Sequence, residues 1–188
     1  MRRFTRKGSK ITAEMTEDEV AMLASLTGQL IDLTTSTLGE PDTDNDDPLA
    51  RLERELAEAD SEPPETSDPV IERLFPNPYP HDPKAAAEYR RYSRSELRDE
   101  LVGNAERVLQ DLSRTKDGRK PVTITGDGVE PWLKLLGALR LSLATRLGVT
   151  DAESVEELAG LRDDDPRAGM YSIFEWLGFA QETLVESL

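Results

Sequence analysis

Residues 131–148 read PWLKLLGALRLSLATRLG, the most apolar stretch of the chain and the one that decides its fold. The large apolar side chains recur at spacings of three and four, which is the period of a helix with one wide apolar face. That face carries Trp132, Leu135, Leu136, Leu139, Leu143 and Leu147. Leu133 and Leu141 begin a second apolar face, so we predict a central, mostly buried helix over residues 128–147, closed by Gly148.

Helix-starting signals place two further helices in the first half of the chain. Thr16 and Glu19 form a capping box, in which each side chain accepts the backbone N–H of the other residue. The apolar face of this first helix is predicted to carry Val20, Leu23, Leu26, Leu30 and Leu33. Gly39 and Pro41 end the helix, and a short helix is predicted over residues 69–75.

Asp82 and Pro83 open a longer helical region, since aspartate caps a helix and proline suits its first turn. Ser93 and Glu96 form a second capping box, which predicts that the chain bends there and starts a new helix. The apolar stripe of the new helix is predicted to be Leu97, Leu101, Ala105, Val108 and Leu112. Two helices joined at Ser93 have the outline of a helix-turn-helix.

Two more helices are predicted at the end of the chain. Residues 151–161 form a short acidic helix, and the acids of DDDP, residues 163–166, are predicted to cap the last helix. The period of that helix runs through Tyr171, Phe174, Leu177 or Gly178, Ala180 or Gln181, and Leu184.

Two short β segments complete the predicted elements. Gly8 and Ser9 turn a hairpin, and PVTIT, residues 121–125, favours a strand that pairs with it. The fold class is therefore predicted to be mainly α. We expect a single-domain bundle of five to seven helices over residues 1–188, with at most a small N-terminal or central β-sheet.

Charge is distributed unevenly along the chain, whose net charge is −15. The first ten residues carry +5, whereas residues 40–68 hold twelve acids against Arg51 and Arg54. Four prolines also fall within residues 40–68. We predict an acidic flexible segment there, with one short helix inside it.

Composition excludes several classes of site. The chain has no cysteine and one histidine, which rules out disulfides and zinc sites built on thiolates or on two histidines. Residues 42–53 have the acid spacing of a calcium loop, but Asp47 stands where that loop needs glycine. No nucleotide-binding motif, nucleophile motif or membrane-spanning stretch is present. We predict a cytoplasmic protein with no catalytic residue, no cofactor and no metal.

The stretch EYRRYSRSELR, residues 88–98, concentrates four arginines in an acidic chain. On a helix, arginines four residues apart form one stripe, and the two tyrosines lie on another side. Either the tyrosines pack inward and the arginines pair with nearby carboxylates, or the segment is an interaction face. The predicted partner-binding residues are Arg90, Arg91, Arg94, Arg98, Tyr89 and Tyr92.

Three long blocks of the chain have a recurring family pattern. They are DPVIERLFPNPYPHDPKAAAEYRRYSRSELR (68–98), PWLKLLGALRLSLATRLGV (131–149) and MYSIFEWLGFAQETLVESL (170–188). These blocks resemble an actinobacterial domain family of unknown function. One branch of that family, the AosR-like proteins, acts as oxidative-stress-sensing transcription regulators together with an alternative sigma factor. The resemblance implies a helical fold and a regulatory role, but thiol-based sensing does not carry over because this chain has no cysteine.

We expect a non-enzymatic regulatory protein that acts through a protein partner, such as a sigma factor or RNA polymerase. The first alternative is a direct DNA-binding regulator that uses the basic N-terminal arm and the arginines of residues 90–98. The net charge disfavours nucleic acid, because phosphate repels an acidic chain unless its cations are grouped. An uncharacterised enzyme is the second alternative. No membrane partner is predicted, and the oligomeric state is left open.

Overall fold

The structure is a computed structural model, and it describes residues 1–39, 68–162 and 164–188. The side chains left out within these ranges are those of Ala87, Arg90, Arg91 and Tyr92. Three predictions therefore lie outside the described residues: the acidic flexible segment, the short helix within it, and the calcium-loop spacing.

A three-stranded antiparallel sheet joins the N-terminal hairpin to the middle of the chain. The strands are β1 (Thr5–Lys7), β2 (Lys10–Ala13) and β3 (Val122–Ile124), in the order β1-β2-β3. The hairpin turns at Gly8, whose φ of +65° is open to glycine. Ile11 lies opposite Ile124 and Ala13 opposite Val122, and all four side chains are buried. The predicted hairpin and its pairing with residues 121–125 are confirmed.

The helices account for most of the described chain. In the described residues they are α1 (Glu17–Leu38), α2 (Pro69–Leu74), α3 (Pro83–Ser113), α4 (Val129–Leu147), α5 (Ala152–Ala159) and α6 (Ala168–Glu186). A 3-10 turn over Gly126–Gly128 precedes α4. The predicted fold class, mainly α with five to seven helices and a small sheet, is confirmed.

Helix α1 begins at the predicted capping box. The hydroxyl of Thr16 accepts the N–H of Glu19 at 3.2 Å, and the carboxylate of Glu19 accepts the N–H of Thr16 at 2.8 Å. The predicted apolar face is confirmed at Val20, Leu23 and Leu30, which are buried, and at Leu26, which is half-buried and packs against the core. Leu33 is half-buried. The buried residues are Val20, Leu23, Thr27, Leu30 and Thr34. The two threonines tolerate burial because each hydroxyl donates to the carbonyl four residues earlier, at 2.7 Å.

Helix α3 is one continuous helix of 31 residues. The carboxylate of Asp82 caps it as predicted, accepting the N–H of Lys84 and of Ala85 at 3.1 Å. The predicted bend at Ser93 and the helix-turn-helix outline are wrong. Ser93 costs a helix interior only about 0.5 kcal/mol, and strong helix formers surround it. The capping-box pattern of Ser93 and Glu96 therefore lies inside a helix and does not start one.

Helix α4 occupies the centre of the core, as predicted. Its buried residues are Trp132, Leu135, Leu136, Leu139, Ala144 and Leu147. The helix contacts α1, α2, α3 and α6. It ends at Gly148, which has a φ of +76° and donates its N–H to the carbonyls of the last turn. Leu143, also on the predicted apolar face, is half-buried and packs against the core.

Helix α6 starts later than the sequence predicted. Arg167 precedes its first residue, and no side chain caps the helix there. Asp165 instead accepts the N–H of Arg167 at 2.8 Å, which closes a turn before the helix. Capping by Asp164 and Asp165 is therefore wrong. The predicted inward face is confirmed at Phe174, Leu177, Ala180 and Leu184, all of which are buried.

One apolar core joins the sheet to α1, α3, α4 and α6. Its largest fully buried side chain is Trp132, and the ring of Phe4 meets it edge-on with the ring centroids 5.8 Å apart. A smaller apolar cluster holds α5 against the C-terminal part of α4 and the first half of α6. The basic N-terminal residues are therefore part of a packed hairpin and do not form a free arm.

Candidate functional site

The predicted partner-binding residues lie in α3, between residues 89 and 98. Tyr89 is half-buried, and its ring meets the exposed ring of Tyr79 edge-on, with the centroids 6.3 Å apart. Arg94 is half-buried. The structure leaves out the side chains of three further candidates, Arg90, Arg91 and Tyr92. The last candidate, Arg98, is described.

Arg98 is not an exposed contact residue, which corrects its predicted role. It is 8% exposed and donates to the carbonyl of Leu38 at 3.0 Å. The carboxylate of Asp99 accepts a second hydrogen bond from its Nε at 2.7 Å. Arg98 therefore holds the C-terminal end of α1 against α3, where a cation suits the negative end of the helix dipole.

An open apolar groove lies beside this part of α3, between α2, α3 and α4. Its volume is about 250 Å³. The apolar residues that line it are Leu74, Phe75, Leu97, Leu101, Leu135, Ala138 and Leu141. Leu97 is 38% exposed, so the helix presents a large apolar side chain to solvent at this site. A large exposed apolar side chain beside an apolar groove is typical of an interaction site.

The charged residues of the groove already have partners. Lys134 donates to Glu100 of α3 and to Glu130 of its own helix, the latter at 2.6 Å. The hydrogen bonds to Glu100 and Glu130 raise the pKa of Lys134, and the hydrogen bond from Lys134 lowers the pKa of Glu130. Lys134 is therefore held as a cation, and a cationic lysine is neither a base nor a nucleophile.

A buried carboxylate lies further along α3, towards its C-terminal end and on the side that faces α4. Asp111 is 4% exposed and accepts hydrogen bonds from Nε1 of Trp132 at 3.0 Å and from Arg114 at 2.8 Å. The indole N–H of a buried tryptophan needs such an acceptor. Asp111 thus fixes the central tryptophan of α4 against α3, and the contact accounts for the buried charge.

Arg140 forms a polar contact between α4 and α6. Its guanidinium lies over the ring of Phe174, 5.2 Å from the centroid, and donates to the side-chain oxygen of Gln181 at 2.9 Å. Glycines lie beside both side chains. A Cβ on Gly178 would lie 3.6 Å from Arg140, and one on Gly137 would lie 3.5 Å from Gln181, which are ordinary van der Waals distances. The contacts of Arg140 with Phe174 and Gln181 connect α4 to α6.

The described part of the chain has neither a cluster of metal ligands nor a helix fit to span a membrane. Within residues 1–39, 68–162 and 164–188 there is no group of three or more histidine, aspartate or glutamate side chains placed to hold a metal ion. In the same residues, none of the helices combines the length and the apolar character needed to cross a membrane.

The whole chain matches one family of proteins. A family model described as a domain of unknown function, DUF2017, covers residues 1–188. The chain belongs to the DUF2017 family. No curated protein and no solved structure matches it.

Two features of this DUF2017 chain were not predicted from its sequence. The first is the groove, whose residues come from three helices that are distant in the chain. The second is the bond between Asp111 and Trp132. A signal for the second was present, because a tryptophan predicted to be buried requires an acceptor for its N–H.

Proposed function

We propose that this DUF2017 chain is a non-enzymatic regulatory protein that acts by binding a protein partner in the groove between α2, α3 and α4. One observation carries the proposal: exposed Leu97 stands beside an apolar groove of about 250 Å³. That volume lies below the range of roughly 300–1,000 Å³ that is typical of small-molecule sites. It suits one or two apolar side chains inserted by a partner.

The chemistry of the rim supports a protein partner over a substrate. Lys134 is paired with Glu100 and Glu130, so the rim offers fixed charges that orient a partner. Interfaces that use a small apolar anchor with a charged rim gain most of their affinity from that anchor. Leu97 and the groove are the anchor in this proposal.

The resemblance of the three sequence blocks to AosR-like regulators supports the nature of the partner. On that basis the partner is a component of the transcription machinery, a sigma factor or RNA polymerase, met in the cytoplasm. Sensing by cysteine oxidation is not part of the proposal, since the chain has no cysteine.

The test compares two apolar residues of equal exposure. Leu97→Asp places a charge beside the groove, whereas Phe179→Asp places one on α6, where Phe179 is 39% exposed. Each variant, after a thermal melt shows that it folds, is used to retain purified sigma factor and RNA polymerase. We expect Leu97→Asp to weaken retention at least tenfold and Phe179→Asp to leave it unchanged. Equal retention by both variants, or equal loss, overturns the groove as the binding site.

A further inference from the structure

The outer face of the three-stranded sheet is polar and basic. Residues paired across an antiparallel sheet lie on the same face, and neighbours along a strand alternate. Ile11, Ile124, Ala13 and Val122 are buried, so the residues between them point outward. The outward residues are Thr5, Lys7, Lys10, Thr12 and Thr123.

A second basic segment precedes β3 and lies against the residues that follow β2, since a Cβ atom on Gly118 would lie 2.8 Å from the backbone of Met15. Arg114, Lys116, Arg119 and Lys120 lie in or beside the turn that leads into β3, with Asp117 as the acid among them. Lys10 pairs with Lys7 of β1 and precedes Ile11, which lies opposite Ile124 at the end of β3 that Thr125 follows. Lys120 precedes the other end of β3. Five residues separate those ends, which is about 17 Å along a strand. Cations therefore lie at both ends of a strip, the basic strip, whose middle is formed by Thr5, Thr12 and Thr123.

Apart from Arg114, the cations of this strip have no carboxylate partner within the described part of the chain. Among the described residues, no ion pair involves Lys7, Lys10, Lys116, Arg119 or Lys120. All five are exposed. Some neighbouring acids are paired: Glu14 with Arg2, Glu186 with Arg3, and Asp111 with Arg114. Asp117 and the acids Glu17 and Asp18 at the start of α1 also lie near the turn, and the five cations outnumber these three acids. The strip is a concentrated positive surface on an acidic protein.

The net charge of the chain does not by itself decide the field at this surface. Residues 40–67 hold eleven acids and two arginines, so −9 of the net −15 belongs to that segment alone. Charges further apart than about 8–10 Å are largely screened at physiological salt, so the field at the sheet depends on the charges that lie close to it. Among the described residues near the sheet, the unpaired cations outnumber the unpaired acids.

We propose that the outer face of the sheet binds the phosphate backbone of a nucleic acid duplex. Lysine, arginine and threonine side chains are the groups that proteins use most against phosphates. A strip of about 17 Å spans roughly five base pairs along a duplex. The outward residues include no aromatic side chain on which the bases of a single strand could stack, so the face fits a duplex read through its backbone. This surface is separate from the groove of the proposed function.

The experiment measures how affinity for a duplex of about 20 base pairs depends on salt between about 50 and 200 mM. Five phosphate contacts give a slope of log Kd against log salt of about 4.5, and each lost contact lowers the slope by about 0.9. We expect each of two double variants to lower the slope of log Kd against log salt by about 2. The variants are Lys7→Gln/Lys10→Gln and Arg119→Gln/Lys120→Gln. The matched control is Arg73→Gln/Lys84→Gln, which removes two exposed cations from α2 and α3.

Several outcomes overturn the proposal. It is wrong if no duplex binds at about 50 mM salt, or if the control pair lowers the slope as much as the sheet pairs do. Competition by polyglutamate at equal charge concentration would identify an acidic protein as the occupant instead. Tighter binding of a single strand of equal length would exclude the duplex. None of these outcomes depends on Leu97, so they leave the test of the groove unaffected.

Discussion

Gly118 lies where the turn before β3 touches the first residues of α1. Its φ is +77°, and a Cβ atom added to it would lie 2.8 Å from the backbone of Met15, Thr16 and Glu17. Backbone atoms in a capped helix start cannot move aside. We expect Gly118→Ala to lower the free energy of unfolding by about 3 kcal/mol, because it adds a clash to the left-handed strain. Urea denaturation measures the loss.

Gly8 is the matched control for this prediction. Its φ is +65°, but a Cβ atom added there meets nothing within 4 Å. Gly8→Ala should therefore cost only the conformational strain, about 1 kcal/mol. If the two alanine variants lose the same stability, the contact between the turn and α1 does not restrict residue 118.

At the scale of the elements, α1 and α6 each bury a threonine with a different role. The hydroxyl of Thr27 donates to the carbonyl of Leu23, which the helix already uses. The hydroxyl of Thr183 also accepts the buried N–H of Phe4, at 3.4 Å, and so joins α6 to the N-terminal hairpin. The same change to valine should therefore have opposite effects in the two helices.

We expect Thr27→Val to be neutral or to stabilise the protein by up to about 1 kcal/mol, since no partner is left unsatisfied. Thr183→Val should destabilise it by about 1–2 kcal/mol, since the N–H of Phe4 loses its acceptor. The midpoint of urea unfolding at constant m-value measures both changes. Losses of equal size would show that the bond to Phe4 contributes nothing.

At the scale of the whole molecule, acid weakens contacts between distant segments. Burial opposes the ionisation of Asp68, but hydrogen bonds from Arg146 and from the N–H of Val70 lower its pKa below the ordinary value. Burial likewise opposes the ionisation of Glu19, and hydrogen bonds from the N-terminal amine, its own capping box and Trp176 lower its pKa. The stability from both carboxylates is therefore complete above their ordinary pKa values, near 4, and is lost as the pH falls through the lower folded-state values.

We expect the urea midpoint to fall as the pH drops from about 5 to about 3. Asp68→Asn should make this fall shallower, because it removes the titrating carboxylate. Arg146→Gln breaks the pair, whose atoms are 2.7 Å apart, and should have a smaller effect, because the N–H of Val70 still lowers the pKa of Asp68. A fall that stays as steep in Asp68→Asn as in the unsubstituted protein would show that this carboxylate contributes nothing to the pH dependence.

The flanks of residues 40–67 are held by contacts that do not involve that segment. Arg98 bonds to the carbonyl of Leu38 before it, and Arg146 bonds to Asp68 after it. Replacing residues 42–66 with a glycine–serine linker of equal length should therefore change the melting temperature by less than about 3 °C, because loop-closure entropy depends on length. A fall of more than about 10 °C would contradict this prediction and show that the segment contributes to the core.

Patterns within a few residues were enough to predict most of the elements. The apolar period of residues 131–148 identified the central helix, the capping box at Thr16 and the cap at Asp82 identified helix starts, and β-favouring residues around Gly8 identified the hairpin. These signals are local, because they depend on turns and periods that the chain itself carries. The same locality explains the error at Ser93, where a helix-start pattern occurs inside a helix.

Tertiary contacts decided the roles of the surface residues. Arg98 carries the same charge as the other arginines of residues 88–98. It is buried because α1 ends beside it and offers a carbonyl oxygen. The groove exists only where three helices from different parts of the chain meet, and the basic strip only where residues 114–120 come next to the hairpin. A single sequence shows which residues are charged or apolar. Which of them face solvent together depends on packing between segments that are distant in the chain, as Phe4 and Thr183 are, 179 residues apart.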